Sequence, residues 1–453
     1  MNKFWQNKLI YLILLFALAL RLVLYKETIM WWDPSVYLGM GKYLFSFGKA
    51  GLWEASRPIV MPMILGLLWK LKLTFLNNLL QTFFSLGCIY LIYLIGKEAF
   101  DEKIALLSAL FLSLSPTFIF FGFLQLTDIP STFFALLGIY LFIKNKGLLS
   151  GLFLGIAFMT RFLQLFVFII LFISLVCRKK NLIKFVFGFS IPVIPYLAFN
   201  LIMYSNPLYP FLLQSWMTQH TGWVYNQPWP FYFLGLLKEN FLFLFSIPAI
   251  YFIFKKTDYK KISILSIFII FFLFFTLTKH KEMRFILVFL PYVYMLAVVG
   301  ISNSLKLIKN KKISFIFFAS IISLALLHSI IQINIPKSND YTPFWNYTAQ
   351  EEVKSNIWVS NPMFIAKSDK KADELIYYPL YNSSKAIRYQ NTFTKAKHIL
   401  IDTCGIMPCP VEDAQCKEET EKLIALLKKN LNVIYEKEGE CSQYIFSSLY
   451  SKH

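Results

Sequence analysis

Apolar runs of about twenty residues recur along the first three quarters of this chain, and they constrain its fold more than any other feature. The first run extends from Leu9 to Tyr25, and others follow as far as position 333. A segment of this length and composition can cross the hydrocarbon core of a bilayer as a helix. Overall, 57% of the 453 residues are hydrophobic, whereas soluble domains average about 45–50%. The pattern therefore predicts a polytopic α-helical membrane protein that contacts the lipid bilayer.

The distribution of lysine and arginine predicts how the chain crosses the membrane. Basic clusters lie in alternate loops, as at 144–146 and 178–184, while the loop 204–230 contains neither residue type. Because basic residues favour the cytoplasmic side, we predict a multi-pass protein of the cell membrane with a cytoplasmic N-terminus. The formal net charge is +20, but the lysines that produce it stand in short clusters between apolar runs, so we predict no nucleic-acid partner.

About eleven transmembrane helices fit this distribution. The segment 58–72 is short and contains two prolines, so we interpret it as an interfacial helix on the external side. The pair 147–160 and 162–177 is short for two spans and could instead form a re-entrant hairpin. The predicted spans are 9–25, 77–96, 103–121, 129–143, 147–160, 162–177, 182–203, 231–254, 262–278, 285–304 and 313–333.

Two acidic residues occupy unusual positions at the predicted external ends of spans. Asp33 follows two tryptophans shortly after the first run, and Asp128 begins the string Asp-Ile-Pro. A carboxylate near the membrane interface is costly unless it faces water, a cation or a substrate. The alternative is that each acid caps a helix, since Asp33 precedes Pro34 and Asp128 lies two residues before Pro130.

Basic residues are predicted on the same side. Arg161 lies between two short apolar runs, and Lys279 begins the string Lys-His-Lys-Glu-Met-Arg-Phe. Arg161 could simply extend its charged group to the interface, and the string could form a solvated corner. Acids and cations together on one face of an apolar protein favour a functional site instead.

These residues resemble the motifs of the membrane-embedded GT-C glycosyltransferases, especially the dolichyl-phosphate-mannose–protein mannosyltransferase and aminoarabinose-transferase group. The resemblance extends over about residues 8–330. Members often carry a Glu or a paired acid beside the first Asp, where this chain has Pro34. The motifs that carry the resemblance are Asp33 with Tyr37, Arg57-Pro58 with Pro62, Asp128-Ile129-Pro130, and His280-Lys281-Glu282-Met283-Arg284-Phe285.

The resemblance implies transfer of a sugar, such as a mannose-like hexose, from a polyprenyl-phosphate donor to a protein, lipid or glycan acceptor, with inversion. A carboxylate can take the proton of the attacking hydroxyl, and Asp33 is the candidate base, with Asp128 as a second catalytic residue. Fixed cations can stabilise the leaving phosphate, and Tyr37, Arg57 and Glu282 are supporting residues. The candidate phosphate ligands are Arg161, Lys279, His280, Lys281 and Arg284.

The sequence leaves alternatives open for the cofactor and for the class of function. No cofactor is certain, and the one considered is a divalent metal ion held by Asp33 and Asp128. Charged residues in membrane proteins also mark transport pathways, so a lipid or solute transporter or flippase is the alternative function. Transporters often contain internal repeats, which this sequence lacks, and the enzyme is therefore favoured.

The composition becomes polar after residue 335. We predict a transmembrane domain over 1–335 and an extracytoplasmic α/β or α+β domain over 336–453. Expected strands lie near 362–367, 397–402, 432–437 and 442–447, with a helix at 415–430. Four cysteines in the tail lack the usual zinc spacing and fit two disulfides, for which three pairings are open: Cys404, Cys409, Cys416 and Cys441.

Overall fold

The computed structural model describes residues 3–24, 31–180, 182–220, 224–255, 258–333, 340–376, 380–406 and 409–448. Over these residues the chain forms twenty α-helices and five β-strands. The helices are α1 Lys3–Leu24, α2 Trp32–Phe45, α3 Val60–Lys70, α4 Leu76–Ala99, α5 Glu102–Ser113, α6 Pro116–Phe121, α7 Asp128–Ile143, α8 Gly147–Thr160, α9 Leu165–Cys177, α10 Ile183–Tyr204, α11 Tyr209–His220, α12 Phe231–Glu239, α13 Ser246–Lys255, α14 Tyr259–Leu277, α15 Leu290–Leu305, α16 Lys311–Gln332, α17 Thr342–Ala349, α18 Ser383–Thr392, α19 Thr403–Ile406 and α20 Cys416–Asn430. The strands are β1 Ile357–Val359, β2 Ala372–Leu375, β3 His398–Asp402, β4 Asn432–Lys437 and β5 Gln443–Ser447.

The chain divides into two compact units, each assembled from three separate segments. Unit 1 comprises Met1–Thr28, Asn78–Leu208 and Gln227–Lys337. Unit 2 comprises Ile29–Asn77, Tyr209–Asn226 and Ser338–His453. Unit 2 thus combines the polar tail with two segments that precede it in the sequence. The predicted domain boundary between residues 335 and 336 lies outside the described residues.

Unit 1 is built from apolar helices at every position where a span was predicted. In the described part of the chain, α4, α10, α14 and α16 are long and apolar enough to cross a membrane. A fifth candidate is the pair Phe231–Glu239 and Phe241–Lys255, which is bent by 114°. The polytopic helical architecture is therefore confirmed, and the number of eleven spans stays a prediction.

Three predicted spans are divided by breaks whose causes are local. In the span 103–121, the Ser115 side chain accepts a hydrogen bond from the Phe118 N–H, and Pro116 starts α6. In the span 231–254, the Asn240 side chain caps a new 3₁₀ turn at Phe241–Phe245. The span 285–304 begins within a 3₁₀-helix at Met283–Val288, which ends before α15, and Pro291 lies in the first turn of α15. At Ser115 and Asn240 a polar cap supplies hydrogen bonds that a broken helix loses, which is why these two sites allow a break inside an apolar run.

Small residues bring α8 and α10 into backbone contact within unit 1. A Cβ added to Gly151 would lie 1.9 Å from the Phe185 carbonyl oxygen, and one added to Gly188 would lie 2.1 Å from the Leu148 carbonyl oxygen. Only glycine fits at both positions. Close packing of this kind is the usual way in which helices associate in a membrane, where lipid offers no hydrophobic drive between them.

Unit 2 contains the helices that were predicted between the first and second spans. The eleven residues of α3 extend roughly 16 Å at 1.5 Å per residue, which is about half of the hydrocarbon thickness. This length fits the predicted interfacial helix over 58–72. The predicted loop 204–230 also holds a helix, α11, in which the rings of Trp216 and His220 stack at 4.0 Å.

The tail forms a five-stranded mixed sheet in the order β2-β1-β3-β5-β4. Strand β1 is parallel to β2 and β3, and β5 is antiparallel to β3 and β4. Apolar residues of the strands form two buried clusters with residues of the flanking segments, one of which includes Val36 and Met40 of α2. The predictions of β3, β4, β5 and α20 are confirmed, as is the α/β character of the tail.

One predicted strand is wrong, and two strands were missed. The segment predicted as a strand at 362–367 contains a 3₁₀-helix at Pro362–Ile365. Its cause is the Asn361-Pro362 pair, because the Asn361 side chain accepts a hydrogen bond from the Met363 N–H at 3.0 Å. The missed strands β1 and β2 have only three and four residues, which is too short for alternation to show.

The four tail cysteines form two disulfides. Cys404 is bonded to Cys441 with a Cα–Cα distance of 5.2 Å, and Cys409 to Cys416 with a distance of 5.8 Å. Both distances are ordinary for a disulfide. The first bond joins the residues that flank the antiparallel pair β3 and β5, so it closes the end of the sheet. Cys88 and Cys177 are free.

We expect peptide mapping under non-reducing conditions to recover Cys404 linked to Cys441 and Cys409 linked to Cys416. The 37-residue separation of the first pair exceeds the 7-residue separation of the second. Removing the Cys404–Cys441 bond by paired Cys→Ala changes should therefore lower the free energy of unfolding of the tail by about 2–5 kcal/mol, which is more than removal of the Cys409–Cys416 bond should. Recovery of Cys404 linked to Cys409 or Cys416 would contradict the pairing, and Cys177→Ala serves as the matched control.

Candidate functional site

Asp33 is held by an arginine at the start of α2. An Asp33 carboxylate oxygen lies 2.8 Å from Nη2 of Arg57, and the aspartate is 8% exposed. Tyr37 is one helical turn later, with its ring centre 5.8 Å from the Arg57 guanidinium carbon. The structure thus brings the candidate base Asp33 and the supporting residues Tyr37 and Arg57 together in unit 2. The alternative interpretation of Asp33 as N-cap is wrong, because α2 begins at Trp32 and its N-cap is Trp31.

A buried glutamate that the sequence analysis missed also binds Arg57. The Glu54 carboxylate accepts hydrogen bonds from Nε of Arg57 at 2.9 Å and from the Ser56 hydroxyl at 2.8 Å. Arg57 therefore uses two different nitrogens for two carboxylates, which fixes the orientation of its planar guanidinium. The available signal was the i, i+3 spacing of Glu54 and Arg57 in a chain with few acids. Unit 2 thus contains a second acid near Arg57, although the residue that follows Asp33 in the sequence is Pro34.

Glycines fix the helix pair that positions Asp33 and Arg57. Asp33 is on α2, and Arg57 comes three residues before α3. A Cβ added to Gly41 would lie 2.5 Å from the Pro62 carbonyl oxygen, and one added to Gly66 would lie 2.5 Å from the Gly41 carbonyl oxygen. The two helices therefore cross in backbone contact, and this crossing sets where the Arg57 segment runs relative to α2.

Asp128 and Arg161 form a corresponding ion pair in unit 1. Their Oδ1 and Nη1 atoms are 2.8 Å apart, with 1% of the Asp128 side chain and 14% of the Arg161 side chain exposed. Asp128 is the first residue of α7, whose N-cap is Thr127, so the interpretation of Asp128 as the cap is wrong. Arg161 is an extended residue between α8 and a 3₁₀ turn. Its guanidinium contacts an acid within the protein, which excludes the interpretation that it only extends to the interface.

The segment 278–285 is organised by one carboxylate. A single Glu282 oxygen, Oε1, lies 2.8 Å from Nε2 of His280 and 2.8 Å from Nη2 of Arg284. The Lys281 ammonium is buried and donates to the Thr278 carbonyl oxygen at 2.6 Å. Lys279 is exposed. Glu282, predicted as a supporting residue, thus contacts Arg284, and the interpretation of the whole segment as a solvated corner is wrong.

Phe285 brings Arg161 and Arg284 to one place in unit 1. The guanidinium carbons of Arg161 and Arg284 lie 5.2 Å and 5.6 Å from the centre of its ring. Both distances are within the range of cation–π attraction. We call the basic residues Arg161, Lys279, His280, Lys281 and Arg284, with the acids Asp128 and Glu282, the basic cluster. Apart from His280, it holds four cations and two carboxylates, which leaves an excess of positive charge.

The charges in the basic cluster shift the pKa values of its members. Burial alone would raise the pKa of Glu282, but the charge of Arg284 and hydrogen bonds from His280 and Arg284 outweigh it and lower the pKa to about 2. Burial lowers the pKa of Lys281. Glu282 is therefore ionised at any physiological pH and keeps its two basic neighbours in position.

The predicted metal ion stays a prediction. Asp33 and Asp128 belong to different units, and each pairs with an arginine of its own unit. Within the described residues, the three-residue group with metal-ligand geometry is Asp402, Cys404 and Cys441. Its two cysteines form a disulfide, which removes the thiolates that a metal needs.

Comparison with known proteins identifies the fold. Residues 56–209 match the family described as dolichyl-phosphate-mannose-protein mannosyltransferase. No curated protein sequence matches the chain. Among solved structures, ArnT from Cupriavidus metallidurans bound to undecaprenyl phosphate is similar, with a TM-score of 0.68, 10% identity, and coverage of 96% of this chain and 97% of ArnT.

A second similar structure is the oligosaccharyltransferase AglB from Archaeoglobus fulgidus in complex with an inhibitory peptide and a dolichol-phosphate. Its TM-score is 0.59 at 12% identity, and the match covers 98% of this chain and 74% of AglB. An A. fulgidus oligosaccharyltransferase tethered to an acceptor peptide gives a TM-score of 0.62 at 11% identity, over 99% of this chain and 74% of that one. The chain thus has the fold of ArnT and of the A. fulgidus oligosaccharyltransferase, and the family match over residues 56–209 agrees with the resemblance inferred from its motifs.

We expect the stabilising effect of Glu282 to depend on acid pH. Its pKa is lowered in the folded protein, so an ionised Glu282 stabilises the fold above the ordinary carboxyl pKa of 4.5, and this contribution is lost as the pH falls toward 2. Its size is at most about 3 kcal/mol, since each pKa unit corresponds to about 1.4 kcal/mol. The free energies of unfolding of wild type and Glu282→Gln, measured by thermal unfolding, should differ by a constant amount above about pH 5 and converge below it. A difference that does not change between pH 6 and pH 3 would contradict the assignment.

Proposed function

We propose that the protein is a membrane glycosyltransferase that moves a sugar from a polyprenyl-phosphate donor to an acceptor hydroxyl on the external face. The observation that carries the proposal is the basic cluster, in which Arg161 and Arg284 lie at one ring while Glu282 holds His280 and Arg284. Clustered, oriented cations are what a departing phosphate requires. The same fold occurs in ArnT bound to undecaprenyl phosphate and in AglB in complex with a dolichol-phosphate, which supports a lipid phosphate as the carrier.

The charge of the donor changes during the reaction in a way that suits the basic cluster. The bond between the anomeric carbon and the phosphate oxygen breaks, and its electron pair stays on the phosphate. A phosphodiester with one negative charge then becomes a monoester that gains a second. The excess positive charge of the cluster therefore interacts more strongly with the leaving group than with the intact donor. Interactions that strengthen toward the transition state are the ones that accelerate a reaction.

Asp33 is proposed as the base for the acceptor. The acceptor oxygen attacks the anomeric carbon as the phosphate leaves, and its proton passes to the Asp33 carboxylate, so the sugar inverts in a single displacement. Arg57 holds the carboxylate from one side, and Glu54 fixes Arg57 in turn. Asp33 is thus oriented rather than free to rotate, which is the condition for efficient proton transfer. Asp128 is proposed to orient Arg161 at the phosphate.

The proposal also includes the donor sugar, the acceptor and the orientation of the chain in the membrane. The description of the family that residues 56–209 match names dolichyl-phosphate-mannose, which supports a mannose-like hexose as the donor sugar. One A. fulgidus structure holds a tethered acceptor peptide and another an inhibitory peptide, which supports a protein acceptor ahead of a lipid or a glycan. The lysine distribution supports a cell-membrane location, with the N-terminus in the cytoplasm and the tail outside.

We expect Asp33→Asn to abolish sugar transfer while the protein still folds and binds a polyprenyl phosphate. Asparagine keeps the size of the side chain and can still accept a hydrogen bond from Arg57, but it takes no proton. The measurement is turnover with a polyprenyl-phosphate sugar, together with the melting temperature of the purified protein. Glu418→Gln, which removes a carboxylate that is 66% exposed, is the matched control. Near-normal turnover in Asp33→Asn would remove Asp33 as the base.

We expect Arg284→Ala to weaken donor binding and to lower turnover by about a hundredfold or more, because charge on the leaving phosphate is then less well matched. Arg284→Lys should restore activity only in part, since lysine has the charge but lacks the planar pair of donors. Arg388→Ala in the tail, where the arginine is 52% exposed, is the matched control. Unchanged donor affinity and turnover in Arg284→Ala would refute the phosphate role, and solute flux without any sugar transfer would favour a transporter.

A further inference from the structure

We propose that Tyr232 is a positioning residue that holds the backbone of Glu282 and thereby sets the geometry of the basic cluster. The inference rests on the proposed function, and it adds a residue that neither the motifs nor the comparisons indicate. Tyr232 is the second residue of α12, far from the segment 278–285 in the sequence. Its side chain is fully buried.

The Tyr232 hydroxyl binds both backbone polar groups of Glu282. It donates to the Glu282 carbonyl oxygen at 3.2 Å and accepts from the Glu282 N–H at 3.1 Å. The ring packs beside Phe275 of α14, with ring centres 5.9 Å apart. Because a hydroxyl has one proton to donate, the first bond uses that proton within the protein. We therefore assign Tyr232 a role through Glu282 and no direct contact with a substrate.

The Glu282 backbone needs such a partner because of where it lies. Glu282 is extended, with φ −134° and ψ 144°, and it precedes the 3₁₀-helix Met283–Val288 without a side-chain cap. The first N–H groups of a helix have no partner in the helix itself and must find one elsewhere. For the Glu282 N–H that partner is Tyr232. The carbonyl oxygen also accepts from the Phe285 N–H at 3.1 Å, so both ends of the residue are fixed.

A second contact from the same face of α12 supports this role. Gly235 lies three residues after Tyr232, and a Cβ added there would be 2.6 Å from the Met283 sulfur. The helix thus lies against two consecutive residues of the cluster segment, Glu282 and Met283. Since the Glu282 carboxylate in turn binds His280 and Arg284, a displacement of its backbone would move both side chains together.

The test compares two buried tyrosines that each lose only a hydroxyl. Tyr232→Phe removes the two bonds to Glu282 and keeps the ring. Tyr292→Phe is the matched control, because Tyr292 is also fully buried and its hydroxyl has no hydrogen-bond partner within the described residues. Hydrogen exchange of the Glu282 amide is measured in detergent, followed by kcat and KM with a polyprenyl-phosphate sugar and by binding of the polyprenyl phosphate alone.

We expect faster exchange of the Glu282 amide and about a ten- to hundredfold loss of kcat/KM in Tyr232→Phe, since small displacements of catalytic groups have effects of this size. Tyr292→Phe should change neither. In a Glu282→Gln background, Tyr232→Phe should cost less than twofold more, because the contacts through which it acts are already weakened. A full and additive loss in that background would overturn the assignment, as would unchanged exchange and activity in Tyr232→Phe.

Two further outcomes separate this inference from the proposed function. If wild type neither binds polyprenyl phosphate nor transfers sugar, the proposed function fails, while the exchange measurement still decides whether Tyr232 holds Glu282. If Tyr232→Phe does not fold, the wild-type protein provides the answer. A Glu282 amide that exchanges as fast as the amide of exposed Lys279 would then refute the positioning role, and a protected one would support it.

Discussion

The pairing of each site carboxylate with an arginine is the interaction on which the rest of the candidate site depends. An isolated charge in an apolar protein is too costly to persist, whereas a charge with a fixed partner can be buried. Asp33 with Arg57 and Asp128 with Arg161 both follow this rule at a distance of 2.8 Å. Removing one partner would leave the other charge buried alone, so both members of each pair constrain the sequence.

The same rule explains how the cations are arranged. Arg57 lies between two acids, and Glu282 lies between two basic groups. In each case the central group is held from two directions and has little freedom to turn. Preorganisation of this kind lets charges act on a substrate without first having to reorient. The fold provides it with short segments next to helix ends, where the backbone can bring a side chain into place.

Much of the fold could be predicted because it follows from composition and period. Apolar runs of bilayer length predict helices wherever they occur, and helices are found at each of those positions. Breaks within runs could not be predicted, since they depend on single caps such as Ser115 and Asn240. The strand expected at 362–367 failed for the same reason, because one Asn-Pro pair outweighs the apolar character of the residues after it.

The candidate site could be predicted only where chemistry is visible in local spacing. Asp33 and Tyr37 are one helical turn apart and both lie beside Arg57, and the contiguous string from His280 to Phe285 contains the contacts of Glu282 with His280 and Arg284. Glu54 was missed although its spacing from Arg57 was a usable signal, and Tyr232 was missed because it contacts a residue 50 positions away, which sequence order does not reveal. The cap interpretation of Asp33 was wrong because α2 starts two residues earlier than the Asp-Pro pair suggests.

The assembly of unit 2 from three separated segments has a consequence for biosynthesis. The ammonium of Lys42, which is 4% exposed, donates to the carbonyl oxygens of Ala366 and Ser368, which are 324 and 326 positions later in the chain. At about 5–20 residues per second, a ribosome needs roughly 15–65 s to make that interval. During this time α2 is synthesised but its lysine lacks these partners. The packing of α2 in unit 2 can therefore be completed only after the tail has been made.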